Sequence, residues 1–476
     1  MLTAEQEAIV NAQISGNGLE CNTIVSTNAG TGKTHTIKAI VRTVQSCFTN
    51  NEVWVLVCAP TAQAARTAGH SYIDGAAVPA ETIAWLIAKG DAANAVVWDK
   101  VKLRASTGQL KAFKLIADEF SMINYREWVQ LCTRLYSAVL GTPCKVSIVL
   151  FGDVKQLPAV EADGGGCGLL KTMLLKSSQA VSGTSRFQQA NYTLAGFLHK
   201  SEVQAFELTQ SLRFRSDAES DMHRLSNAIV NRNPNIVLGY MRCLEPRKSR
   251  PLPLPGVSNS VVFAYDNETV DSVNRQAAIH VGLAQRIVYC LVDDNGICQT
   301  VLVESGPIIG TVNVRVPKSS DFYIANGQVG TCDSVLGTEA PPVTTAFQNC
   351  KKRFLRIDKH LTILINLPKK GLVSVGIKIV DKVKTVPVKM AWASTIHKIQ
   401  GATVESPTKV VVDMKKFTDI RVLYVAITRV EQIEQLYFVN VNPEAITAVV
   451  HAAQDDATAA FLKRFRKLLL YQLDSV

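Results

Sequence analysis

The sequence predicts an α/β protein: two parallel-sheet domains, the first with a hairpin insertion and the second with a small β-barrel insertion. Three observations carry this. The first 150 residues hold short, nearly continuous apolar strands that end in small or acidic residues and alternate with helix-period segments, as in a sheet covered on both faces. From about 281 to 389 the pattern changes to short β-type runs split by Gly, Pro and lysine-rich turns. After 390 the α/β pattern returns.

Taken in order, "NTIVSTNAG" is a strand entering a glycine turn, and "KTHTIKAIVRTVQ" has helical spacing. "EVWVLVCAPT", "AFKLIADEF" and "KVSIVLFGD" are further strands, and ligands of such sheets sit at the strands' carboxyl ends. "AVVWDKVKLRASTGQ" is read as a hairpin inserted at about 85–112. "EADGGGCGLL" is a glycine-rich loop, and "EPRKSRPLPLPGVSNS" a proline-rich connector. The runs "GTVNVRV", "RFLRI", "LTILINL" and "LVSVGIKIV" form the all-β unit. It is basic through Lys351, Lys352, Arg353, Lys369, Lys370, Lys378, Lys382 and Lys384. "KVVVDM", a helix through "VLYVAITRV" and the strand "QLYFVNV" follow. In the tail, Phe461, Leu462, Phe465, Leu468 and Leu469 share one helical face, which predicts a capping helix. The expected boundaries are 1–200 for the first domain, 201–280 with 390–476 for the second, and 281–389 for the barrel.

Composition narrows the function. The 476 residues are 47% apolar, enough for packed cores, and 51 Lys plus Arg against 40 Asp plus Glu give a net charge of +11. That excess favours a polyanionic partner. Eleven scattered cysteines without C-x-x-C spacing argue against a disulfide framework or a zinc module and fit a reducing compartment. "MLTAEQEAIV" lacks the pattern of a signal peptide, and no apolar run is long enough to cross a bilayer. An intracellular soluble protein is expected, with no membrane partner.

The chemistry begins at "AGTGKT", residues 29–34. Ala29, Gly30, Thr31, Gly32, Lys33 and Thr34, lying between a strand and a helix, suit a phosphate cradle, with Lys33 on the β- and γ-phosphates and Thr34 on Mg²⁺. Thr27 stands where G-x-x-x-x-G-K-[ST] has its first glycine. In "LIADEFSM", Asp118 follows a buried strand and would hold Mg²⁺, while Glu119 would activate the attacking water. Gln156, in "VLFGDVKQLPAV", could sense a γ-phosphate without neutralising the site. Arg213, His397, Lys398, Gln400 and Arg429 lie in later polar segments. An arginine completing such a site contributes ~10³–10⁵ in rate in phosphoryl-transfer enzymes.

The ordered set "TAEQ", "NAGTGKT", "CAPTAQAA", "ADEFSM", "GDVKQLPAV", "LTQSLRF", "AYDNETVDSVNRQ", "ANGQVGT", "STIHKIQGATVES" and "LYVAITRV" resembles the superfamily 1 helicases, and most closely their RecD-like, Dda-type branch. It spans Gln6 to about Val439. The resemblance implies two RecA-like domains and an ATP-dependent, nucleic-acid-stimulated helicase moving 5′→3′ on single strands, with DNA replication and repair as the setting. ATP and Mg²⁺ are the implied cofactors. Single-stranded DNA, with RNA as the alternative, and duplex junctions are the implied partners, alongside replication or recombination proteins.

Position by position, the resemblance implies that Gln6 reads the adenine edge and that Gln156 and Gln400 sense the γ-phosphate. It makes Arg213 and Arg429 arginine fingers from the second domain. Thr61, Thr395 and His397 face the single strand, and the hairpin around Trp98 is the strand-separating pin. One departure is Thr82-Ile83-Ala84, where the family often has Thr-Ile-His. Two rival readings remain at this level: a viral-type RNA helicase of the same superfamily, and an ATP-gated nucleic-acid clamp that does not unwind.

Overall fold

The structure is a computed structural model. It describes residues 2–15, 19–48, 51–88, 92–159, 167–174, 193–198, 203–213, 220–256, 258–282, 287–292, 298–303, 306–311, 314–315, 322–324, 329–336, 362–367, 371–376, 378–380, 383–385, 388–400, 402–452 and 455–473. The glycine-rich segment 160–166 and the cations Lys351, Lys352, Arg353, Lys369, Lys370 and Lys382 lie outside the described residues.

The chain divides into two units, Met1–Arg213 with Ala452–Val476, and Phe214–His451. In the first unit, α1 (Ala4–Ala12) precedes β1 (Asn22–Thr27), α2 (Lys33–Cys47), β2 (Val53–Ala59) and α3 (Ala62–Ala68). Next come β3 (His70–Ile73), β4 (Ala76–Pro79), β5 (Glu81–Thr82), α4 (Ile83–Ile87) and α5 (Ala92–Ser106). The unit continues with β6 (Ala112–Ala117), α6 (Tyr125–Val139), β7 (Lys145–Gly152), α7 (Leu194–Leu198) and β8 (Val203–Leu208). The sheet order is β4-β3-β2-β6-β7-β1-β8, with β5 on β2. All pairings from β2 through β8 are parallel.

Alternation explains why these strands read as apolar throughout. Trp54, Leu56 and Cys58 enter the core on one face, while Val53, Val55 and Val57 enter the other. Phe113 and Leu115 likewise oppose Ala112 and Ile116. One face is covered by α4, α5 and α6, the other by α1 and α2. Asp74 (φ 52) and Gly75 (φ 77) turn β3 into β4, as the two central residues of a tight hairpin require.

The second unit contains α8 (Asp221–Val230), α9 (Pro234–Leu244), β9 (Ser260–Ala264) and α10 (Asn267–Gly282). Its β-rich stretch runs through β10 (Ile287–Val292), β11 (Cys298–Val303), β12 (Pro307–Gly310), β13 (Val314–Arg315), β14 (Phe322–Ile324), β15 (Val329–Leu336), β16 (Thr362–Leu367), β17 (Gly371–Gly376), β18 (Lys378–Val380), β19 (Val383–Thr385) and β20 (Val388–Met390). There β17-β16-β15-β12-β20 is an antiparallel sheet. The unit ends with β21 (Ala393–Thr395), β22 (Lys409–Asp413), α11 (Ile420–Ile427), β23 (Leu436–Val439) and α12 (Pro443–His451). Strands β21-β9-β22-β23 form a parallel sheet.

Three sequence expectations need correction. Residues 92–106 are the helix α5, not a hairpin. Asn94, Trp98, Val101 and Ala105 are its buried side chains, a spacing of four, three and four that follows a helical turn and not the alternation of a strand. Residues 203–213 belong to the first unit, because β8 pairs in parallel with β1 over six residues. The tail helix α13 (Asp456–Leu473) also belongs to the first unit, where Phe461 and Phe465 enter the core beside Phe120.

Candidate nucleotide site

The phosphate-type loop leaves β1 and enters α2. Its positive φ angles fall on glycines, Gly30 and Gly32, both at φ 78. Thr27 does not need glycine's freedom: it is the last residue of β1, buried and in register with Leu208. Thr31 Oγ1 donates to the Asn28 carbonyl at 2.9 Å. Asn28 Oδ1 accepts from Lys155 Nζ at 2.7 Å, tying the segment after β7 to the loop. Ala29 is buried.

Lys33, the first residue of α2, lies 2.9 Å from Asp118 Oδ1 and 2.5 Å from Glu119 Oε1. Burial alone would lower the Lys33 pKa, but the two carboxylates outweigh it and raise it. Burial pushes the Asp118 carboxyl up against the opposing pull of Lys33. Thr34, next on α2, is half-buried. Glu119 sits at φ 52, a left-handed conformation rare for a non-glycine residue and characteristic of strained functional positions. Its Oε2 is buried and has no hydrogen-bond partner among the described residues.

After β7, Asp153 organises a turn: one carboxylate oxygen accepts from Lys155 N at 3.0 Å and the other from Gln156 Nε2 at 3.0 Å. Gln156 Oε1 is buried without a hydrogen bond among the described residues. Burial raises the Asp153 pKa, with a smaller contribution from the Glu119 charge.

Gln6 is fully buried and engaged at both ends of its amide. Its Oε1 accepts from Thr3 N at 3.0 Å, completing the capping box that starts α1, and its Nε2 donates to the Thr31 carbonyl at 3.0 Å. A side chain at Gly32 would overlap that amide. Arg213 also differs from its expected place. It is in the first unit, beside the loop: Leu212 N donates to the Gly30 carbonyl at 2.7 Å. A Cβ on Gly30 would lie 2.7 Å from Arg213 Cβ and 2.9 Å from Ser211 Oγ. Glu5 secures the same segment by accepting from Thr209 N at 3.0 Å. Neither Glu5 nor Ser211 was marked by the sequence reading. Both meet their partners across long stretches of chain, Glu5 through its carboxylate on Thr209 and Ser211 through its hydroxyl beside Gly30, which a one-dimensional motif does not encode.

Among the residues expected to touch nucleic acid, Thr61 in the first unit caps α3, its Oγ1 accepting from Ala64 N at 3.1 Å. Trp98 is 8% exposed and donates from Nε1 to the Leu86 carbonyl at 3.0 Å, so it is a core residue and not an exposed stacking pin. In the second unit Thr395 is buried at the end of β21, and His397 is half-buried, 6.1 Å edge-on from the Tyr265 ring. Burial lowers the His397 pKa. Gln400 is 5% exposed, and neither end of its amide has a hydrogen-bond partner among the described residues. Arg429 is buried and held inside its unit by the Val425 carbonyl (3.0 Å), the Ala402 carbonyl (3.1 Å) and Thr428 Oγ1 (3.0 Å). Its guanidinium therefore fastens α11 to the segment after Gln400.

The first unit thus brings Gln6, the 29–34 loop, Asp118, Glu119, Gln156 and Arg213 to the carboxyl ends of adjacent parallel strands. Residues 6–162 match the AAA domain family. Across its length the chain has the fold of the Pif1 helicases. A structure described as two coordinating Pif1 helicases at forked double-stranded DNA matches with 19% identity and a TM-score of 0.63, covering 98% of this chain and 97% of that one. Pif1 helicase from Candida albicans matches at 19% identity and TM-score 0.61, covering 98% and 99%. Pif1 from Bacteroides in complex with ADP-AlF3 and single-stranded DNA matches at 18% and 0.62, covering 98% of each chain. No curated protein sequence matches the chain. No helix among the described residues is long and apolar enough to cross a membrane.

Proposed function

We propose that this chain is an ATP-dependent helicase that moves 5′→3′ along single-stranded DNA and opens duplexes. The carrying observation is the ion-paired group of Lys33, Asp118 and Glu119 beside a loop whose left-handed turns fall on Gly30 and Gly32. The Pif1 structures bound to single-stranded or forked DNA share this fold over nearly the whole chain and support the choice of substrate.

The residues fit a Mg²⁺–nucleotide. Two glycines keep side chains off the loop, and Glu119 Oε2 and Gln156 Oε1 are buried acceptors without hydrogen bonds among the described residues. Thr34 and Asp118 would hold Mg²⁺, which supplies charge neutralisation on the phosphates when bound. Lys33 exchanges its carboxylate partners for phosphate oxygens. Glu119, released from Lys33, accepts the proton of the attacking water. Gln156 and Gln400 read the terminal phosphate as neutral amides, and Arg213 contributes charge from beside Gly30. Arg429 takes part after giving up its carbonyl partners. Gln6 positions the loop through Thr31 and reaches a base edge only by exchanging that bond. Thr61, Thr395 and His397 are assigned to the single strand.

The test measures ATP hydrolysis and unwinding on DNA and RNA duplexes with either a 5′ or a 3′ tail. Expected are ATPase activity stimulated by single strands, unwinding of 5′-tailed DNA, and a Glu119→Gln variant that binds nucleotide without turnover. An ATPase indifferent to strands, or one that never opens a tailed duplex, would sink the helicase reading in favour of a clamp.

A further inference from the structure

The tail helix α13 reaches the catalytic carboxylate through an aromatic relay. Phe120, next in sequence to Glu119, is fully buried, and its ring lies 5.5 Å from the Phe461 ring at 45°. Phe461 is itself fully buried and stacks on Phe465 at 5.5 Å and 16°. The Phe120 ring also packs on Gly152, where a Cβ would come 2.7 Å from Phe120 Cδ1 and 3.1 Å from Phe120 N. The far end of α13 is anchored as well: Gln472 Oε1 accepts from Ala205 N at 3.2 Å on β8, the strand that leads into the 209–213 segment beside Gly30. Glu119 holds φ 52, a strained conformation that persists only where its surroundings over-determine it.

We propose that Phe461 is a positioning residue for Glu119: Phe461 on α13 and the side-chain-free Gly152 together confine Phe120, and this confinement holds the preceding residue in its left-handed turn. The proposal rests on the ATPase reading of the site. Loss of the Phe461 ring leaves Phe120 free to tilt, so Glu119 relaxes away from the position of the attacking water. Displacement of a catalytic group by about 1 Å can lower a rate by on the order of a hundredfold. Nucleotide affinity, which depends on the loop and Lys33, is untouched.

The experiment uses the full chain with Phe461→Met, Phe461→Leu and Phe465→Leu. It records steady-state ATP turnover, affinity for a fluorescent nucleotide analogue and the thermal midpoint. Methionine fills most of the ring's space, so Phe461→Met keeps the test readable if the leucine variant fails to fold. Expected is a kcat reduced roughly ten- to a hundredfold in both Phe461 variants, with analogue affinity unchanged. Phe465→Leu, one ring removed from Phe120, should lower the thermal midpoint comparably but leave kcat within about twofold of wild type. Wild-type turnover with kcat unchanged at Phe461, or with kcat tracking the midpoint equally in all three variants, overturns the proposal alone. A wild-type chain without turnover overturns both the proposal and the ATPase reading beneath it.

Discussion

Lys33→Met should destabilise the first unit even when no nucleotide is present. The ammonium lies 2.9 Å from Asp118 and 2.5 Å from Glu119, and the side chains of these carboxylates are only 3% and 6% exposed. At an effective dielectric of about 20, each contact is worth about 6 kcal/mol of Coulomb attraction, and desolvation of the three charges offsets most of it. Removing the ammonium forfeits the attraction and leaves two adjacent carboxylates buried without a counter-charge. Breaking a buried pair from one side typically costs ~3–5 kcal/mol. Four of the five tryptophans (Trp54, Trp85, Trp98 and Trp128) lie in the first unit, so tryptophan emission in urea follows that unit. The expected loss at pH 7.5 is ~3–5 kcal/mol, diminished as the pH falls, because burial already pushes the Asp118 carboxyl up and its protonation removes a buried charge, and partly recovered by adding Glu119→Gln. A Lys33→Met chain as stable as wild type at pH 7.5 would refute the reasoning, because it would mean that the carboxylates are not desolvated.

Gly30→Ala should disrupt the loop twice over, through a left-handed backbone costing ~1–2 kcal/mol and through its 2.7 Å approach to Arg213 Cβ; nucleotide affinity should fall, and an alanine variant that titrates like wild type would contradict this packing. Trp98→Ala should cost ~3–5 kcal/mol in urea titrations as a core truncation, with unwinding per folded molecule little changed; a selective loss of unwinding at full stability would restore the pin. Lys114 is buried in β6, its Nζ donating to Gln13 Oε1 and Ser147 Oγ at 2.9 Å each, and burial lowers its pKa to about 7. With the folded value below the unfolded one near 10.4, the unfolded chain holds the extra proton between them, so wild-type stability gains up to ~1.4 kcal/mol per pH unit from 7 towards 10 relative to Lys114→Met. Parallel profiles for the two proteins would contradict that assignment.

The loop was legible because its needs are local: two left-handed positions demand Gly30 and Gly32, and the same rule shows why Thr27, inside β1, is harmless. The apolar strands were legible for a related reason, since a sheet buried on both faces leaves little alternation to misread. What escaped was non-local or ambiguous. Val96, Val97 and Trp98 favour strands by propensity, and only the 94-98-101-105 burial period shows α5 to be a helix. The true hairpin of this region is announced by Asp74-Gly75, a two-residue turn signal between β3 and β4. The placement of β8 and α13 in the first unit depends on pairing with β1 and on contact between Phe461 and Phe120, across roughly 180 and 340 positions of sequence, which no local pattern reports.

Such long-range closure bears on biosynthesis. Because 214–451 interrupts the first unit, a ribosome delivers every residue of the inner unit before it delivers α13. Nascent domains tend to form as their segments emerge. The inner unit can therefore finish while the outer one still presents the uncovered Phe120 and Leu170 side of its core. Through that interval this apolar surface stays open to water, and the arrival of α13 with Phe461 and Phe465 is the event that covers it.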